Sequence, residues 1–189
     1  MTPSLLFLSA SLAYAADAPL LQPDARGESA PDRNFDVQKL TLDVDLDPAG
    51  GQVSGTARLD VVRLWPGPLV LDQVDLRIED VVVWAAADGA PAAVPWWTVG
   101  DELVVDAPPA TVAVQVRYAA TPRNGMHFRV PGPTSLDPRA EVWTQGEGTD
   151  HRYWFPSWDH PNDRFIYEGR IRAPEGWTVL TNSGHDIVN

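Results

Sequence analysis

From Leu40 to Asp47 apolar and polar residues alternate without a break: Leu, Thr, Leu, Asp, Val, Asp, Leu, Asp. A period of two puts every apolar side chain on one face of an extended strand, whereas a helix would scatter them around its axis. Upstream, Phe35 and Val37 begin the run. Pro48-Ala49-Gly50-Gly51 then interrupts it with turn residues, and Val53 to Leu64 resumes an extended pattern. Two long strands joined by so short a turn predict an antiparallel hairpin. Shorter extended runs follow at Leu69–Asp72, Leu76–Trp84, Glu102–Asp106, Thr111–Tyr118, Tyr167–Ala173 and Trp177–Thr181. No window of helical length carries a 3.6-residue apolar period. Eighteen Pro and fourteen Gly supply frequent turns. The expectation is an all-β fold, an antiparallel β-sandwich or open, saddle-like sheet, over residues 35–189.

The preceding residues read differently. Leu5 to Leu12 is an apolar run too short to span a bilayer as a helix, and Ala13-Tyr14-Ala15 follows as a small-x-small cleavage signature. Residues 1–15 therefore read as a signal peptide, although the first residues lack Lys or Arg, and the protein as exported, periplasmic or extracellular. Residues 16–34 are rich in Pro and Ala without periodicity and read as a flexible tail. No Cys is present, which excludes disulfides, thiol catalysis and Cys-ligated metals. A formal charge of −12 repels nucleic acid and anionic membrane surfaces, so neither is expected as a partner, and no membrane span is expected.

Residues 143–163, WTQGEGTDHRYWFPSWDHPND, hold three Trp, a Tyr, a Phe, two Pro and two His among polar residues. Neither a strand nor a helix suits that mixture. It reads as an irregular loop whose rings anchor it while its polar groups face a site, with Trp154, Phe155 and Trp158 as apolar anchors. Arg152 and Asp159 are suited to a buried ion pair within it. Read by chemistry alone, Glu147 is a solvated loop carboxylate or an acceptor for a ligand ammonium. A Trp cluster also serves as a sugar-stacking platform, and Trp96-Trp97 adds to that reading. The four His, at 127, 151, 160 and 185, open no H-E-x-x-H helix. His151, Asp159 and His160 are conceivable ligands, but nothing in their spacing suggests tetrahedral convergence. No G-x-S-x-G elbow or P-loop is present.

The order of these features resembles the N-terminal domain of the aminopeptidase N and leukotriene hydrolase family of zinc metallopeptidases. The resemblance is carried by Val37–Val44, by Leu69-Val70-Leu71-Asp72, by Leu76–Val83, and above all by Thr144-Gln145, Arg152, Phe155-Pro156 and Asp159-His160-Pro161, with Asn182-Ser183-Gly184 closing it. It implies that Gln145 and Glu147 bind the free α-amine of a peptide substrate, and that Arg152, Phe155, Pro156, Asp159 and Pro161 shape the loop. It further implies a zinc-bearing catalytic domain as partner, in the same chain or a separate one. The H-E-x-x-H and Gly-x-Met-Glu-Asn motifs of that domain are not in this sequence. This chain alone is thus expected to hold no cofactor and to be inactive, with zinc belonging to the implied full-length enzyme. Two other readings stay open: a stand-alone module binding a peptide or glycan through its Trp-rich loop, and an interaction domain docking onto a separate catalytic subunit.

Overall fold

The computed structural model describes residues 31–134 and 139–182. Eleven strands lie among them, and no α-helix. In chain order they are β1 Phe35–Asp47, β2 Gln52–Arg63, β3 Leu69–Asp72, β4 Arg77–Trp84, β5 Ala92–Ala93, β6 Trp96–Val99, β7 Glu102–Val105, β8 Ala113–Ala120, β9 Met126–Arg129, β10 Glu141–Thr144 and β11 Ile166–Arg172. The largest sheet runs β11-β1-β2-β8-β4-β5, the second β3-β7-β6, and the third is the pair β10-β9. All pairings are antiparallel except β1 with β11. The all-β expectation holds.

The long hairpin forms as its pattern requires, with Gly50 N–H donating to Asp47 Oδ1 (2.9 Å) inside the turn. One irregularity explains why alternation is clean only from Leu40. Phe35 and Val37 are buried at odd positions, Leu40, Leu42 and Val44 at even ones. A bulge between Val37 and Lys39 inserts the extra residue that returns both sets to the same face. A second bulge, between Ile78 and Asp80, does the same for β4, where burial passes from Leu76 to Val81 and Val83. The core is built from these alternate positions of the two larger sheets: Val37, Leu59, Val114 and Val116 from one, Leu69, Leu71, Leu103 and Val105 from the other.

Several expectations need correction. Trp177–Thr181 forms no strand: a turn at Pro174–Trp177, with Gly176 at φ +86°, redirects the chain, and 177–181 run along an open groove without a strand partner among the described residues. Trp143 and Thr144 are the end of β10 and not loop. Strands β5, β6 and β10 are short and mostly exposed, and β9 is short with only Met126 buried, so they lack the alternation that marks the others. Arg33 and Asn34 belong with the folded body. Arg33 is ion-paired with Asp36 (2.9 Å) and with Asp163, and Leu64 N–H donates to the Asn34 carbonyl (2.8 Å). The signal-peptide reading and residues 183–184 of the closing turn lie outside the described residues.

Candidate functional site

The sequence from β10 onward builds a loop that is fixed at its neck, beneath its middle and along its return. At the neck, Gln145 N–H donates to the Gly125 carbonyl (2.9 Å), and Asn124 Nδ2 donates to Asp150 Oδ1 (2.6 Å). The two ends of residues 145–150 are thereby drawn onto one short segment. Gly125 sits at φ +71°, and a Cβ there would overlap the Asp150 carbonyl oxygen, so only glycine permits this approach. Beneath the loop lies the imidazole of His151, close under Gly146. The chain then makes one 3-10 turn, His151–Tyr153, with the Trp154 and Phe155 amides donating back to the His151 carbonyl (2.9 and 3.1 Å).

The return is locked by charge. Arg152 donates through Nε to Asp159 Oδ2 (3.1 Å), through Nη2 to the Asp159 carbonyl (3.1 Å), and reaches Asp72 Oδ1 through Nη1 (3.1 Å). Asp159 Oδ2 also accepts the Arg152 backbone N–H, and Asp72 Oδ2 accepts the Asp159 N–H (2.8 Å). Backbone hydrogen bonds between Asp72 and Ser157 complete the join to β3. Burial pushes the Asp72 carboxyl above the usual range, opposed by the Arg152 guanidinium and the Asp159 N–H. Glu102, on the neighbouring β7, is pushed up by its own burial and then by the Asp72 charge. Asp72 was absent from the sequence reading of this loop. It lies 87 residues from Asp159 in the chain, and only the fold brings them together.

Rings fill the space under this network. Trp154, Phe155 and Trp158 are about 5% exposed, and Pro156 is buried. Trp154 and Phe155 meet edge to face at 4.4 Å, and Trp158 meets Phe35 of β1 the same way at 6.0 Å. Trp158 Nε1 donates to Asn162 (3.0 Å). Pro161 is exposed in the turn that follows. Gln145 and Glu147 are exposed at the top of the loop. Beside it opens an apolar groove of about 770 Å³ whose lining includes Leu42, Met126, Trp143, Phe155 and Tyr167; neither Gln145 nor Glu147 lines it.

Among the described residues no three His, Asp or Glu converge as metal ligands; His160 instead faces Asp72 at 3.8 Å. The zinc expected of the family therefore has no ligand set in this part of the chain. Nor is any helix among these residues long and apolar enough to cross a membrane.

Stacked sheets bearing an aromatic-anchored, charge-locked loop with exposed polar residues define a β-sandwich domain. Residues 36–187 match the peptidase M1 N-terminal domain, and the chain belongs to that family. It is 31% identical over 160 residues to aminopeptidase N of Streptomyces lividans, covering 76% of this chain and 17% of that protein. It is 26% identical over 195 residues to the mouse (Mus musculus) aminopeptidase RNPEPL1, covering 81% and 27%. The chain thus spans about a quarter or less of the length of these relatives. Among solved structures, yeast LTA4 hydrolase shares the fold at a TM-score of 0.62 and 19% identity, over 75% of this chain and 23% of that one. An M1 zinc metallopeptidase from Deinococcus radiodurans shares it at 0.58 and 21% identity, over 76% and 33%.

Proposed function

We propose that this domain is the N-terminal part of an exported zinc aminopeptidase, where it caps a catalytic domain and presents Gln145 and Glu147 to the free N-terminus of a peptide. The observation that carries the reading is the placement of those two residues, solvent-exposed on a loop held at both ends and from below. A preorganised carboxylate makes a charge-assisted hydrogen bond to an ammonium without an ordering penalty at the moment of binding. Fixing the ammonium also fixes which peptide bond reaches the reactive centre, and so sets exopeptidase register. Zinc, supplied by the catalytic domain, would activate the attacking water. Exposed Phe165, Ile166 and Leu180 supply apolar surface for that domain to cover. Burial of Trp154 and Trp158 removes those two rings as a sugar platform, since an enclosed ring has no face to offer, and leaves the exposed Trp97 and Trp143 for the glycan reading.

In the intact native protein, Glu147→Ala lowers kcat/KM roughly 100-fold, equivalent to about 3 kcal/mol. N-acetylated peptides are correspondingly poor substrates. Wild-type turnover in the variant would overturn the assignment. The intact mass tests the capping role: a species several tens of kilodaltons above 20.7 kDa is expected if the catalytic domain follows in the same chain, and one near it means a free-standing β domain and sends the question to a binding partner. Export rests on Leu5–Ala15, and N-terminal sequencing of the native protein begins at Ala16 if the leader is cleaved there.

A further inference from the structure

We infer that His151 is a positioning residue for the amine-binding loop, acting through the space it fills at Gly146. The inference rests on the proposed role of Gln145 and Glu147 and identifies what holds them in place. A Cβ built on Gly146 would overlap the Cε1, Nε2 and Nδ1 atoms of the His151 ring. Gly146 is not in the left-handed region of backbone space, unlike Gly148 of the same loop at φ +80°. Glycine at 146 is therefore needed for room and not for conformation.

The ring is backed on one side and borders the apolar groove on the other. It packs on Phe155 at 5.3 Å and on Trp154 at 6.3 Å, both almost fully buried. Its own backbone carbonyl is bonded by the next turn, and Arg152, its neighbour, is held by Asp72 and Asp159. A side chain at 146 meets a ring backed by Phe155 and Trp154, and so displaces the loop unless the imidazole turns into the groove it lines. Gln145 and Glu147 flank the point of contact, so any displacement reaches both. A shift of about 1 Å in a positioning group is enough to lower turnover on the order of 100-fold.

The test is a double-mutant cycle in the intact native protein, read by peptide hydrolysis and by thermal unfolding. Gly146→Ala raises KM and lowers kcat/KM about tenfold or more, and narrows the preference for free over N-acetylated peptides. With His151→Ala already present, the added methyl enters vacated space, and the same substitution changes kcat/KM by no more than about threefold. Where the alanine variant does not accumulate, His151→Ser carries the same comparison. Equal losses from Gly146→Ala with and without His151 would overturn the inference, as would a harmless Gly146→Ala. The Tm arm separates this from failure of the wider reading. If Glu147→Ala leaves turnover unchanged, amine binding falls, while coupling of positions 146 and 151 in Tm still decides whether the contact sets the loop.

Discussion

Arg152 Nη1 lies 3.1 Å from Asp72 Oδ1, and this contact ties the candidate binding loop to the end of β3. The same guanidinium satisfies Asp159, whose side chain is 3% exposed. A buried and a half-buried carboxylate therefore share one cation. Removing one partner of a buried pair leaves an uncompensated charge, which costs more than the pair's net contribution. Arg152→Ala is expected to lower unfolding free energy by about 3–5 kcal/mol. Asp72→Asn keeps the shape and leaves Arg152 its second partner, so its loss is smaller, about 1.5–3 kcal/mol. Urea titration of the three proteins checks the order. An Arg152→Ala variant as stable as wild type would remove the network from any structural role.

Trp158 links the loop to the long hairpin through its edge-to-face contact with Phe35, and Arg33 lies over its ring at 5.3 Å. Trp158→Ala empties a site between three segments and is expected to destabilise by about 3–5 kcal/mol. Trp158→Phe retains the ring contact but gives up the Asn162 hydrogen bond, and it should fall between the two. Denaturant midpoints read this directly; equal midpoints for Ala and Phe would mean the ring itself contributes nothing.

Much of the scaffold was legible because alternation from Leu40 to Leu46 leaves one buried face no other strand geometry satisfies. Even the bulge was foreshadowed by the parity change between Val37 and Leu40, though alternation alone does not say where the extra residue goes. Strands β6 and β10 were hidden because they are short and bury little, and β9 because four residues are too few to show a period. In the loop, ring content marks anchors, and the close spacing of Arg152 and Asp159 invites a pair. Asp72 could not be found that way: its role depends on a backbone bridge to Ser157 from a distant strand. Nor does the sequence distinguish Gly146 from Gly148, since one answers a neighbouring ring and the other a backbone angle.

Tyr118 presents the opposite case to Arg152. It is fully buried in β8, and its hydroxyl has no hydrogen-bond partner among the described residues. Burial pushes its pKa strongly upward, with Tyr167 adding to the effect, so the group stays neutral and contributes no charge. Deleting an unpaired buried hydroxyl removes a desolvation penalty. Tyr118→Phe should therefore be neutral or stabilise by about 1 kcal/mol, raising Tm by a few degrees. A clear loss of stability would show that the hydroxyl is hydrogen-bonded in solution.

The outer face of β11 answers to acid and salt. Arg172 donates to Asp45 through Nε (2.6 Å) and Nη2 (3.0 Å) and reaches Asp43 through Nη1 (2.6 Å). The Arg172 hydrogen bond holds the Asp45 carboxyl below its ordinary value of 3.8. Because the folded-state pKa is depressed, the unfolded state takes up protons first. Stability from this pair is thus present above pH 3.8 and lost as pH falls below it through the folded value. These side chains are more than half exposed, so screening limits the effect. Amide exchange in β11 should quicken roughly two- to fivefold in Arg172→Ala, and by less in wild type when 1 M salt is added. Once the pH has fallen through the depressed folded value, the variant and the wild type should converge, since protonated Asp45 no longer distinguishes them. Exchange rates that stay apart in acid would show that Arg172 holds the edge strand by packing instead of charge.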